Sequence, residues 1–182
     1  MTSHQLLGPL NLLDMASELR VDRIIPVNGV PTGGGGGIVQ IVEGSTSTEV
    51  IVSALTYTDT TLSATITPTS TSSKILVTVY QQFQIGASNN GGMGIRILRD
   101  STVIDTPLDN GTGPLSKYVS NTGSTVNHFD IQSLQILDSP NTTSAITYKT
   151  QGRPYQTGGT VTYQYDSTDN GISRIILMEV SG

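Results

Sequence analysis

Apolar and polar residues alternate one by one through most of the chain from Ile38 onward. In the longest stretch, Tyr80 and Gln82 face one way and a mainly apolar set faces the other: Ile75, Val77, Val79, Gln81, Phe83 and Ile85. A period of two indicates a β-strand, because successive side chains of a strand point to opposite faces of the sheet. Similar stretches recur up to Val180, so we expect roughly ten short strands.

Clusters of turn-forming residues separate these stretches, for example at 88–92, 109–114 and 169–171. Gly, Asn, Asp, Ser and Pro dominate the clusters, and each favours a tight reversal of the backbone. Because no long helical pattern lies between the apolar stretches, β-α-β units are disfavoured. The sequence therefore predicts an all-β protein in which residues 38–182 form an antiparallel jelly-roll-like β-sandwich.

The phase of the alternation selects the side chains that we expect in the core. Phe129 and Ile131 fall in a different phase from Leu134 and Ile136, which predicts a β-bulge near Gln132–Ser133. The predicted core comprises Ile75, Val77, Val79, Phe83, Ile95, Ile97, Ile131, Ile175 and Leu177.

Residues 1–32 have a different character from the rest. Asn11 can cap a short helix, Pro26 requires extended backbone before it, and the glycine run 33–37 predicts a flexible linker. Because so short a helix is unstable alone in water, the segment needs a partner surface. It can dock to a larger assembly, pack on its own domain or serve an oligomer interface. We favour docking, through Leu10, Leu12, Leu13, Met15, Leu19, Ile24 and Ile25.

The composition disfavours several chemistries. The chain has no Cys, which excludes disulfides and thiolate metal sites. Its net charge of −5 disfavours nucleic acid as a partner, because phosphate binding needs clustered Lys and Arg. His4 and His128 lack metal-ligand spacing, and the glycine run lacks the Lys-Ser/Thr of a phosphate loop. We expect no catalytic residue, cofactor or metal site, and a protein that is not an enzyme.

No stretch is long and apolar enough to cross a bilayer, so we expect no membrane insertion. The N-terminus lacks the basic region of a signal peptide. Charged residues make up only 13% of the chain, and uncharged polar residues take their place, as in many extracellular proteins. A protein that is assembled in a bacterial cytoplasm and released by lysis would combine these features. A Thr-rich cytosolic protein is the alternative.

Tyr and Gln residues near Gly158–Gly159 suit sugar recognition, since aromatic rings stack on apolar sugar faces and amides bind hydroxyl groups. The candidate host-contact residues are Tyr155, Gln156, Tyr163 and Tyr165. The competing interpretation is that Tyr163 and Tyr165 pack within a strand. The oxygen-rich loop 166–171 lacks the EF-hand spacing of a calcium site, and we interpret it as a turn.

Several phrases of the sequence stand out: LRVDRI (19–24), SKILVTV (73–79), GIRILRDSTVI (94–104), LDSPNTTSAITYK (137–149) and IILMEV (175–180). Together they resemble a family of small structural proteins and fibre tips of tailed phages. The strand order also resembles the C1q/TNF-type jelly roll, which implies a homotrimer whose axis is lined by residues of the inner sheet.

The resemblance implies a virion structural protein, located on the virion surface after assembly in the host cytoplasm. It would be a trimeric surface appendage, either a tail fibre or a capsid decoration (head fibre), whose N-terminus binds phage capsid or tail proteins. The alternative is a carbohydrate-binding receptor-recognition module directed at host surface polysaccharide. A polysaccharide-degrading enzyme is a third and weaker hypothesis, because nothing in the sequence pairs two carboxylates.

Deletion of residues 1–32 should leave a folded, soluble β domain that no longer joins the virion, because the strands lie beyond the deleted segment. Circular dichroism and quantification of the protein in purified particles would check this. Incorporation at the normal copy number would place the anchor in the β domain.

Overall fold

The computed structural model describes residues 37–120, 123–165 and 171–182, and within these ranges the chain forms strands and no helix. The predicted docking segment lies outside the described residues. In chain order, the strands are β1 (Ile38–Thr46), β2 (Val50–Val52), β3 (Thr58–Ile66), β4 (Lys74–Ala87), β5 (Gly91–Arg99), β6 (Thr102–Asp105), β7 (Lys117–Val119), β8 (Val126–Asp138), β9 (Ile146–Pro154), β10 (Thr160–Tyr163) and β11 (Ser173–Val180).

Two antiparallel sheets pack face to face. In sheet A, β11 and β10 pair with successive parts of β4 along one edge, and β8 pairs with β4 along its other edge. Strands β1 and β2 extend the sheet beyond β11 and β10. Sheet B has the order β3-β9-β5-β6, and β7 also pairs with β5. This arrangement confirms the predicted all-β, jelly-roll-like sandwich.

The core prediction is confirmed with one exception. The buried members are Ile75, Val77, Val79, Phe83, Ile95, Ile97, Ile175 and Leu177. Ile131 was expected among them, but its side chain is 60% exposed. The predicted bulge is also wrong, because β8 pairs with β4 in one unbroken register. Unbroken pairing puts Ile131 on the outward face and Leu134 on the inward face of the same strand.

A buried polar group lies between two apolar parts of the core. The Gln81 side chain accepts a hydrogen bond from Thr150 Oγ1 at 2.8 Å and donates one to Ser173 Oγ at 2.9 Å. Thr60 joins the group through Thr150 Oγ1, at 2.5 Å. All four residues are buried. The hydrogen bonds offset the cost of removing these side chains from water. Because they join residues of both sheets, they also fix how the two sheets are aligned.

The turns follow the sequence chemistry where they are described. Residues 109–114 reverse direction as predicted, with Asp109 bridging Pro114 and Gly111 at a φ of 86°. Only glycine adopts that backbone region without strain. Within the apolar run 50–55, only Val50–Val52 forms a strand.

One carboxylate secures the end of the sandwich. Glu179 accepts hydrogen bonds from the backbone N and Oγ1 of Thr69, at 2.7 and 2.6 Å, and from Gln40 Nε2 at 2.6 Å. Burial by itself raises the pKa of Glu179, but the hydrogen bonds outweigh burial and hold the pKa below its ordinary value of 4.5. The ionised side chain therefore stabilises the turn that precedes β4.

Replacement of Phe83 by Ala should lower the free energy of unfolding by about 3–5 kcal/mol, because it opens a cavity among fully buried side chains. Val103→Ala is the matched control, since Val103 is 40% exposed and should cost less than about 1 kcal/mol. Urea unfolding measures both. Equal stabilities of the two variants would contradict the assigned core.

The stabilising effect of Glu179 should be complete above the ordinary carboxylate pKa of 4.5 and disappear as the pH falls through the lower pKa of the folded protein. Glu179→Gln should therefore cost about 1–3 kcal/mol at neutral pH and much less in acid. Urea unfolding at a series of pH values measures the difference. An equal cost of Glu179→Gln at neutral and at acid pH would contradict this role.

Candidate functional site

The outward face of sheet B is polar and its charges are paired. Lys149 Nζ lies 2.8 Å from Asp59 Oδ2, and Arg96 Nη2 donates to Gln151 Oε1 at 2.6 Å. The Arg96 guanidinium also lies over the ring of Tyr57, 4.1 Å from its centre. Such paired charges are compatible with water, although sheet B also exposes Val103 and Tyr118, 40% and 43% respectively.

The outward face of sheet A has the opposite chemistry. The strand registers place Leu137, Leu76, Met178 and Ile41 in one row across β8, β4, β11 and β1. Leu137 and Ile41, at the two ends of the row, are 53% and 58% exposed. An apolar row of this length on an open sheet face is a feature of interaction surfaces rather than of solvated surfaces.

Further apolar side chains extend this face along β8 and β4. Tyr80 is 44% exposed, Phe129 49% and Ile131 60%. Among the described residues, the charged side chains on this face are Lys74 and the ion pair between Glu43 and Arg174. We call this set of side chains, together with the row from Leu137 to Ile41, the sheet A surface.

The sheet A surface continues into an open strand edge. Strand β8 has 13 residues and, among the described residues, pairs only with β4. Neither a proline nor a register shift interrupts it. Proteins usually protect long edges with bulges, prolines or charges, because free N–H and C=O groups template further pairing. The edge strand has neither a bulge nor a proline, and its charged residues Asp130 and Asp138 are paired with Lys117 and Arg99.

Polar contacts hold β8 against sheet B. Asp138 accepts two hydrogen bonds from Arg99 Nη1, at 2.8 and 2.9 Å, and one from the Tyr148 hydroxyl at 2.7 Å. Toward the other end, Lys117 Nζ donates to Asp130 at 2.7 Å, and this hydrogen bond is the main cause that lowers the pKa of Asp130 to about 2. The apolar surface is therefore presented by a strand that is fixed on its inward side.

The candidate host-contact residues are mostly not at the surface. Tyr163 is fully buried. Its hydroxyl lies so close to Gly152 that a Cβ at that position would be only 1.8 Å away. Tyr155 is only 7% exposed. For Tyr163 this confirms the interpretation that it packs within a strand, and for Tyr155 it corrects the assignment as a surface contact. Gln156 and Tyr165 are half-buried, and host contact through them stays a prediction.

Sequence reasoning missed the sheet A surface, although a signal was present. In β8, apolar residues occupy both phases of the alternation, with Phe129 and Ile131 in one and Leu134 and Ile136 in the other. A strand that is covered on both faces produces this pattern. The double phase therefore indicated an apolar residue set on each face of β8 rather than a bulge.

The part of the chain that the structure describes contains no cluster of side chains suited to a metal ion. It also contains no helix that could cross a membrane. The loop 166–171, which has several oxygen ligands, lies almost entirely outside the described residues.

Comparison with known proteins gave matches among solved structures alone. No known family matches the chain, and no curated protein does. Two of the structures found are those of infectious bursal disease virus, Gt strain and Gx strain. Each has a TM-score of 0.37 and 10% sequence identity over 78% of this chain. The chain spans about two fifths of the length of the chains it matches, 40% and 39%.

Proposed function

We propose that this protein is a virion structural protein, a trimeric surface appendage that serves as a tail fibre or capsid decoration. In this proposal, residues 1–32 bind capsid or tail proteins and the β domain projects toward the host surface. The observation that carries the proposal is the sheet A surface, which lies beside the open edge of β8. The phage-like phrases of the sequence supply the virion context.

A second copy of the chain is the occupant that best fits the sheet A surface. The surface is nearly uncharged, so copies do not repel one another across it, and the paired Glu43 and Arg174 leave no unmatched charge between them. Burial of apolar area contributes about 25 cal/mol for each Å² removed from water. Self-association would therefore remove from water the one face of the sandwich that is poorly suited to it.

The shape of the surface favours a ring over a two-fold dimer. Strand β8 contributes both an apolar face, through Ile131 and Leu137, and an open edge that points in a different direction. An edge of one copy that meets the face of the next makes a head-to-tail contact, which closes only as a ring. Three copies are the smallest ring, and the C1q/TNF resemblance also implies three.

The alternative function, a carbohydrate-binding receptor-recognition module, has weaker support. Two of its four predicted contact residues, Tyr155 and Tyr163, are buried. On the outward face of sheet B, Tyr57 is already covered by the guanidinium of Arg96. A sugar would have to displace that cation–π contact to stack on the ring.

Ile131→Asp should convert the trimer to a monomer without unfolding it, because the change puts a charge on the sheet A surface at a position that is 60% exposed. Light scattering after gel filtration measures the mass, and circular dichroism checks the fold. Ser63→Asp, on the outward face of sheet B, is the control and should remain trimeric. A monomeric mass for the unchanged protein at micromolar concentration would contradict the trimer.

The virion assignment has a separate test. Purified particles of the source phage should contain the protein, and electron microscopy with a label on the β domain should place it on the surface. Its absence from purified particles would refute a structural role, whatever its oligomeric state.

A further inference from the structure

A small cleft opens at the edge of the sandwich, on the opposite side of β8 from the sheet A surface. It has a volume of about 240 Å³ and lies between the segment that follows β6 and the inward face of β8. Pro107 and Leu134 give it apolar walls, and Asp105 and Gln132 give it polar groups. Apolar walls with a few placed polar groups are typical of ligand sites, and this volume suits a single side chain.

The carboxylate of Asp105 distinguishes the cleft from an ordinary surface depression. Asp105 is half-buried, yet it has no hydrogen-bond or ion-pair partner among the described residues. The other carboxylates near β8 are engaged, Asp130 by Lys117 and Asp138 by Arg99. A bound cation would supply the counter-charge that Asp105 lacks among the described residues.

The remaining polar groups in the cleft can accept hydrogen bonds. Gln132 Nε2 donates one of its two hydrogens to Ser133 O at 3.1 Å, and its side-chain oxygen has no donor among the described residues. Ser116 Oγ accepts from Ile95 N at 2.9 Å and donates to Ile95 O at 3.5 Å. Thr106 contributes a hydroxyl that can rotate to accept. These acceptors suit a ligand that donates several hydrogen bonds.

An arginine side chain meets these requirements better than other common ligands. Its guanidinium carries five donors and a permanent positive charge, and its methylene stem can lie along Pro107 and Leu134. An anion would be repelled by Asp105. A neutral sugar would leave the Asp105 carboxylate without a counter-charge.

We propose that this cleft binds an arginine side chain of another protein of the particle. Within the described part of a second copy, Arg96, Arg99, Arg153 and Arg174 each contact an acceptor of their own domain. Arg20 and Arg23 lie outside the described residues, and the oligomeric mass of Asp105→Asn tests them as the source. The inference does not depend on the trimer. It rests on the proposed function in one respect, which is that the partner is expected to be another protein of the particle.

The full-length protein, titrated with N-acetyl-arginine methylamide and followed by nuclear magnetic resonance, tests the proposal. We expect saturable shifts confined to the residues that line the cleft. The citrulline analogue, which has the same shape without the charge, should bind at least about tenfold more weakly. Asp105→Asn should weaken arginine binding to a similar degree, whereas Asp109→Asn, at a position that is 55% exposed outside the cleft, should not.

Three positive results would overturn the proposal, and so would one negative result. They are equal binding of citrulline and arginine, binding of a neutral monosaccharide in place of arginine, and a change of oligomeric mass in Asp105→Asn, which would make a second copy the occupant. Absence of any arginine-induced shift would also overturn it. None of these results bears on whether purified particles contain the protein, so the virion proposal fails or stands separately.

Discussion

The unbroken antiparallel pairing between β4 and β8, from Ile75 to Ala87 of β4, is the constraint on which the rest of the structure depends. Strand β8 pairs with one edge of β4, and β11 and β10 pair with its other edge. Strand β4 therefore lies at the centre of sheet A. Its inward residues then contribute to both apolar parts of the core and, through Gln81, to the polar group between them. The same register fixes which face of β8 points outward.

The two sides of β8 are therefore suited to different tasks. Outward, Phe129, Ile131 and Leu137 continue an apolar sheet face, for which burial against another copy is the favourable outcome. Inward, Gln132 lines a polar cleft that also contains Asp105. Because successive side chains of a strand alternate, one strand can serve a hydrophobic contact and a charge-selective contact without either disturbing the other.

The contrast between the sheet faces also bears on orientation. Sheet B pairs its charges on the outward face, as between Lys149 and Asp59, and suits contact with water. The proposed ring would turn the sheet A surfaces inward and leave the sheet B faces outside. In such an arrangement, the hydrophobic effect supplies most of the association energy, and paired surface charges contribute little to it.

The sequence by itself determined the all-β class, the phase of most strands and eight of the nine residues predicted for the core, since the period of the alternation depends only on local backbone geometry. It also indicated the turn at 109–114 through its glycine chemistry. Only the tertiary structure decided that Ile131 faces outward, that Tyr163 is buried, and that Asp105 and Gln132 line one cleft. Each of these depends on register and on sheet packing between residues far apart in the chain, which no local pattern encodes.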